Sequence, residues 1–180
     1  MKHIKLLNAI NFAAIKHREQ RRKDQKASPY INHPVAVASL LANVGKVTDL
    51  DVLISAILHD IIEDTKTKPE EIEELFGKRI KDIVLEVTDR KELPKEERKR
   101  LQIENAKNIS EEATLIRIAD KILNIIDITE SPPKEWDLDR RLKYLDWAEA
   151  VINNCSKKNQ SLVNNFYATL DECRKRIQND

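Results

Sequence analysis

Glycine is nearly absent from this chain, with 2 residues in 180, and aromatic side chains make up 4% of it. Hairpin turns draw on glycine, and strands draw on aromatic and β-branched residues in strict alternation. No run of that alternation bounded by hairpin signals occurs, so a sheet protein is excluded as the working class. The 2 cysteines, Cys155 and Cys173, lack CxxC or other metal spacing, which excludes a cysteine-based metal site and a disulfide framework. With no apolar leader of secretory type, a reducing, cytoplasmic setting is expected. No apolar run nears the roughly 20 residues that a membrane-spanning helix needs. A formal net charge of +1 gives no global attraction to nucleic acid or a membrane surface.

Hydrophobic residues at 41% and charged residues at 35% suit a helical protein with charged outer faces. At 180 residues the chain is long enough to bury a core unaided, and one domain over residues 1–180 is expected. Helical periodicity runs almost throughout, and about eight to ten helices are expected. The first spans about 3–22, with Leu7, Ile10 and Ala14 inward. Pro34 opens a second that ends at Gly45. Thr48 is placed to cap a third running through LDVLISAILHDIIED, and Thr67 with Glu70 has capping-box spacing. Later helices begin near Pro94, Ser110, residue 137 and residue 157, and the double proline at 132 and 133 ends the Ser110 helix region.

Within ILHDIIEDT, at 57–65, His59, Asp60, Glu63 and Asp64 lie among four apolar residues. Burying four ionisable groups there is costly without compensation. On a continuous helix Glu63 stands over His59 and Asp64 over Asp60, giving two adjacent polar pairs. A divalent cation would compensate them. His33, just before the second helix, and Asp120, inside LIRIADKILNII, can complete a set of two histidines and two aspartates. Such mixed ligands suit Mn²⁺, Fe²⁺ or Zn²⁺ better than Ca²⁺, and leave positions for water. Asn124 and Asp127 follow Asp120 at one-turn intervals; Asp127 serves equally well as a structural acceptor. The bland reading of His59 is a hydrogen-bonded core histidine. His17, in a basic run, is read as a surface residue, and His3 lies near the start.

In these residues the chain resembles the HD superfamily of metal-dependent phosphohydrolases: His33, the pair His59 and Asp60, and Asp120 follow its H…HD…D order. More narrowly it resembles the small alarmone hydrolases of Mesh type, relatives of the hydrolase domain in Rel/SpoT proteins. The likeness extends over 7–152 through FAAIKHREQRRKD, SPYINHPVAVASLL, HDIIEDT, FGKRIKDIVLEVTD and LPKEERKRLQ, and through the spacing of Trp136, Arg140, Tyr144 and Trp147. It implies an all-α HD-domain helical bundle without room for a synthetase domain. It implies removal of the 3′-pyrophosphate from ppGpp or pppGpp, a small nucleotide, with Mn²⁺ as cofactor.

By the same resemblance His33, His59, Asp60 and Asp120 would ligate the metal, Glu63 and Asp64 would be the catalytic acidic pair, and Asn124 an active-site residue. Arg22 and Lys23 would hold the guanine base and nearby groups. Lys95, Arg140 and Tyr144 would bind phosphates or the ribose side. Charge patterning agrees in kind: 16–26 holds six Lys or Arg against two acids, and 91–100 five against three. A mixed site of that sort suits a polyphosphate ligand. The chain departs from the family at Ile61 and Ile62, near a common Thr, at Arg90, in NIIDI at 124–128, where Ile126 replaces an Arg, and at the preceding Leu123, where an aromatic residue is common. Two rival expectations share these residues: action on another phosphorylated nucleotide such as NADPH, and a silent ppGpp-binding sensor, the latter motivated by NIIDI.

Overall fold

The structure is a computed structural model that describes residues 2–156 and 159–179. Among them are ten helical segments: α1 (Lys2–Lys16), α2 (Asn32–Asn43), α3 (Leu50–Leu58), α4 (Ile61–Asp64), α5 (Pro69–Phe76), α6 (Lys78–Val87), α7 (Lys95–Asn105), α8 (Glu111–Glu130), α9 (Leu138–Asn154) and α10 (Gln160–Gln178). The described residues contain no strand beyond an isolated antiparallel bridge between Arg21 and Pro29. The all-α bundle expected from the sequence is what forms.

Two helices organise the interior. In α3 the run Ile54, Ser55, Ala56, Ile57 and Leu58 is buried on every side, as befits a helix without a polar face. Ser55 satisfies its hydroxyl on the Asp51 carbonyl, 2.7 Å away. The longer α8 buries Ile116, Ile118, Ala119, Ile122 and Ile125 and touches α2, α3, α6, α9 and α10. Ser110 caps α8 as expected, its Oγ accepting from the Ala113 N–H at 3.1 Å, while Glu111 and Glu112 complement the helix dipole. At the end of α2, Gly45 admits Leu162 of α10; a Cβ there would meet the Leu41 carbonyl oxygen at 2.8 Å. The residues 157 and 158, where the last helix was expected to begin, lie outside the described residues.

Four local expectations are corrected. The first helix stops at Lys16, and 17–31 forms a folded loop closed by Arg22 N–H to Ser28 O and Tyr30 N–H to Gln20 O bonds of 2.9 and 3.2 Å. Ile10 packs against the core as expected, but the fully buried residues of this helix are Ala9 and Ala13, whose small side chains let α1 lie close to α3, and Leu7 is 60% exposed. Asp49, not Thr48, caps α3 by accepting from the Asp51 N–H at 2.9 Å. No side chain caps α5, since Thr67 instead meets the Thr65 hydroxyl at 2.8 Å.

The helix through ILHDIIED is also broken. It ends at Leu58, and Asp60 sits at φ −98°, ψ −1° before the single turn of α4. The His59 ring takes the Ala56 carbonyl, at 2.8 Å from Nδ1, which a continuing helix would offer to the Asp60 N–H. The stacking of Glu63 over His59 is therefore replaced by a corner, while Asp64 stays one turn beyond Asp60, its N–H bonded to the Asp60 carbonyl at 2.8 Å.

Candidate active site

The corner between α3 and α4 faces the first turn of α2 and the middle of α8. His33 Nε2 lies 3.0 Å from Asp120 Oδ1, although 87 residues separate them in the chain. His59 Nε2 lies 2.9 Å from Asp60 Oδ2 and 3.8 Å from Asp120 Oδ1. Ligand atoms of His33, His59 and Asp60 all fall within 4.8 Å of one another. Both imidazoles are buried.

One atom tests whether a cation suits this arrangement. His59 Nδ1 donates to the Ala56 carbonyl, so Nε2 is the ring nitrogen left to face the site; it is buried and has no aligned hydrogen-bond partner among the described residues. A buried ring nitrogen between two carboxylates with no aligned partner is what a divalent metal would satisfy, in exchange for the proton that the two carboxylates favour there. The neighbours are already oriented for it. Tyr30 donates its hydroxyl to Asp60 Oδ2 at 2.5 Å, and Asn124 donates to Asp120 Oδ1 at 2.6 Å. Burial, then the Asp60 charge, pushes the Tyr30 phenol far above its ordinary value, so it stays a donor. Burial works against ionisation of Asp60, but His59 outweighs it and holds this carboxyl well below the usual range.

Glu63 and Asp64 lie at the rim. Glu63 accepts from the Asp89 N–H at 3.1 Å and has Arg98 at 3.5 Å. Burial first, then the Asp89 charge, raises its carboxyl to about 7. Asp64 takes hydrogen bonds from Gln20 Nε2 at 2.8 Å and Lys91 Nζ at 2.5 Å.

His33, His59, Asp60, Glu63, Asp64 and Asp120 border a cavity of about 500 Å³, which Lys95, Lys99, Arg140, Trp136 and Tyr144 also line. The Arg140 guanidinium stacks 4.5 Å from the Trp136 ring centre, and Lys95 stands 5.8 Å from the same ring. Burial and then the charges of Lys99 and Arg140 lower the Lys95 ammonium, the signature of cations crowded without enough anions. Arg22 faces an adjoining cavity of about 530 Å³, which Lys23, Tyr30, Asn124 and Tyr144 also line. Its guanidinium binds Asp127 and, at 3.2 Å, Asn124 Oδ1, so Asp127 anchors this arginine. Burial pulls the Arg22 pKa down, but Asp127 outweighs it and keeps the group charged.

The structure thus gathers His33, His59, Asp60, Asp120, Glu63, Asp64, Asn124, Lys23, Lys95, Arg140 and Tyr144 around one cavity, with Arg22 next door. Ile126 and Leu123 line neither cavity; both pack against the core. Sequence reasoning missed Tyr30, Gln20, Lys91 and Lys121. Tyr30 and Gln20 stand inside quoted motifs, so their polar character was the available signal. His17 is corrected: it is 2% exposed rather than a surface residue, because the loop after Lys16 folds back over it and stacks Tyr30 on its ring, 5.0 Å between centres.

The HD domain pattern matches residues 9–170. This chain belongs to the HD domain family. The HD chain is 48% identical over 157 residues to guanosine-3′,5′-bis(diphosphate) 3′-pyrophosphohydrolase MESH1 of Xenopus tropicalis, covering 87% of this chain and 88% of that one. To MESH1 of Homo sapiens it is 46% identical, over 87% and 88%. Among solved structures, a metazoan ortholog of SpoT described as hydrolysing ppGpp superposes with a TM-score of 0.90 at 42% identity, covering 93% of this chain and 94% of that chain. An HD hydrolase works with a divalent metal, and His33, His59 and Asp60 form a triad able to hold one. No helix among the described residues is long and apolar enough to cross a membrane.

Proposed function

We propose that this HD protein is a (p)ppGpp 3′-pyrophosphohydrolase that converts ppGpp or pppGpp to GDP or GTP and pyrophosphate, with Mn²⁺ as its metal. One observation carries the reading: a buried imidazole–carboxylate set shares one cavity with cationic and aromatic side chains, which fits a nucleotide bearing several phosphates. The likeness to MESH1 proteins over most of the chain supports the same substrate. Imidazole mixed with carboxylate favours Mn²⁺ among the divalent ions, and two buried thiols suit the reducing cytoplasm.

In this reading His33, His59, Asp60 and Asp120 hold the ion. Bound there, it supplies Lewis-acid polarisation of the phosphate ester and a lowered pKa for water. Tyr30 and Asn124 keep Asp60 and Asp120 turned toward it. Glu63, titrating at about 7, suits a group that takes up and gives back a proton at neutral pH. Asp64, held by Gln20 and Lys91, orients the attacking water. Lys95 and Arg140, backed by Trp136, bind phosphates; Tyr144 supports the ribose side; Arg22 and Lys23 meet the base.

The test is an incubation of metal-stripped protein with ppGpp, with and without Mn²⁺, resolving products by ion exchange. GDP and pyrophosphate only with Mn²⁺ are expected. No product from folded, Mn²⁺-loaded protein would overturn the reading, and free phosphate from NADPH instead would redirect it to another phosphorylated nucleotide.

A further inference from the structure

We propose that Gln20 is a positioning residue for the Asp64 carboxylate and that buried His17 sets the direction of its amide. The inference rests on the hydrolase reading for the role of Asp64, but the orientation itself is independent of turnover. His17 Nδ1 lies 2.7 Å from Gln20 Oε1, and Gln20 Nε2 lies 2.8 Å from Asp64 Oδ2.

The three groups admit one consistent set of protons. An ionised carboxylate only accepts, so the amide must turn its NH₂ toward Asp64 and its oxygen toward His17. The oxygen in turn requires a proton on His17 Nδ1. The other ring nitrogen, Nε2, is buried without a partner among the described residues. A second proton there would bury an unpaired N–H on a charged ring, so the ring is the neutral Nδ1–H tautomer. The chemistry is therefore directional: His17 donates to Gln20, and Gln20 donates to Asp64.

Gln20 is unusually well placed to transmit this direction. Its N–H donates to the His17 carbonyl at 2.9 Å, and its carbonyl accepts from the Tyr30 N–H at 3.2 Å, so the backbone is held on both sides. His17 is locked by the Tyr30 ring and by its own N–H bond to Ala13 O, at 2.9 Å. Lys91 also holds Asp64, through Oδ1, but it is half exposed and free to exchange that contact for water or a phosphate. Gln20 is the inner, permanent support. A carboxylate fixed through one oxygen keeps its remaining lone pairs in one place, which is what orienting a reacting water demands.

Mn²⁺-loaded Gln20→Leu should lose about 10²-fold in kcat while KM stays within about threefold. Gln20→Glu, nearly the same shape, places a second acceptor against Asp64 and should move the acidic limb of the kcat profile to higher pH, which loss of packing alone would not do. His17→Phe retains a ring against Tyr30 and should lose about tenfold; because His17 acts through Gln20, the double variant should be no slower than Gln20→Leu. The ¹⁵N–¹H imidazole correlations of the wild-type protein should show His17 as the Nδ1–H tautomer. Wild-type kcat in Gln20→Leu, losses that multiply in the double variant, or an Nε2–H tautomer would each overturn the proposal. If wild-type protein makes no GDP, the hydrolase reading fails by itself, and the imidazole spectrum still decides the orientation.

Discussion

Lys121, 3% exposed, holds its ammonium 3.0 Å from Asp120 Oδ2 and 4.6 Å from the centre of the Trp147 ring. Asp120 thus uses one oxygen on this buried cation and turns the other, Oδ1, toward His33 and Asn124. Trp147 is itself fixed by its indole N–H on the Lys99 carbonyl, at 3.1 Å. A tryptophan on α9 therefore fixes the lysine that fixes a carboxylate on α8.

Lys121→Met should lower the stability of metal-free protein by about 3 kcal/mol, since it leaves the Asp120 carboxylate without its cation. Urea unfolding measures this, and Mn²⁺ should restore part of the loss by satisfying the same carboxylate.

Metal binding should weaken as pH falls. Burial pulls the His59 imidazole down, but Asp60 and Asp120 outweigh it and hold it up at about 10 in metal-free protein. Mn²⁺ must displace that proton, so affinity should drop about tenfold per pH unit on acidification, and calorimetry in two buffers at neutral pH should find about one proton released. The folded pKa lies above the unfolded value of about 6.5, so the His59 contribution to stability is complete below that pH and disappears as pH climbs to about 10. Glu63, raised to about 7, acts in the same sense: its ionisation costs stability as pH rises from about 4.5 through 7. Melting curves of metal-free protein should therefore decline from weakly acidic to alkaline pH, and far less so with Mn²⁺ bound.

Asp64→Asn should lose about 10³-fold in kcat on ppGpp with Mn²⁺ affinity within about threefold of wild type, because Asp64 lies at the rim and outside the metal-ligand cluster. Undiminished turnover would remove Asp64 from the chemistry.

Trp136→Leu should raise KM about tenfold with kcat changed less than about twofold, the pattern of lost ground-state binding. The ring contacts both Arg140 and Lys95, the cations proposed to bind phosphate, and touches none of the proposed metal ligands. A fall in kcat alone would place Trp136 in the reaction step instead.

Ile126→Arg restores the family's commoner residue in NIIDI, and it should leave turnover within about twofold while costing about 1 kcal/mol of stability. Ile126 packs against the core and borders neither cavity. The departure that motivated the sensor reading therefore lies behind the wall of the site.

The amino-acid sequence by itself determined the helical class, most helix positions and the order of His33, His59, Asp60 and Asp120. These rest on local rules: a 3.6-residue apolar period, capping residues such as Ser110, and ionisable groups set among isoleucines. Tertiary structure decided what local rules cannot reach. A continuous helix through HDIIED has good periodicity, yet α3 ends at Leu58, where the His59 ring takes the Ala56 carbonyl. His17 looks like part of a basic surface run until the following loop folds over it. Lys121 gains the Trp147 ring only when α8 meets α9, and Gln20 meets Asp64 only across 44 residues of chain. Periodicity tells which face of a helix is buried, but the partner that a buried polar group finds there depends on which other helix packs against it.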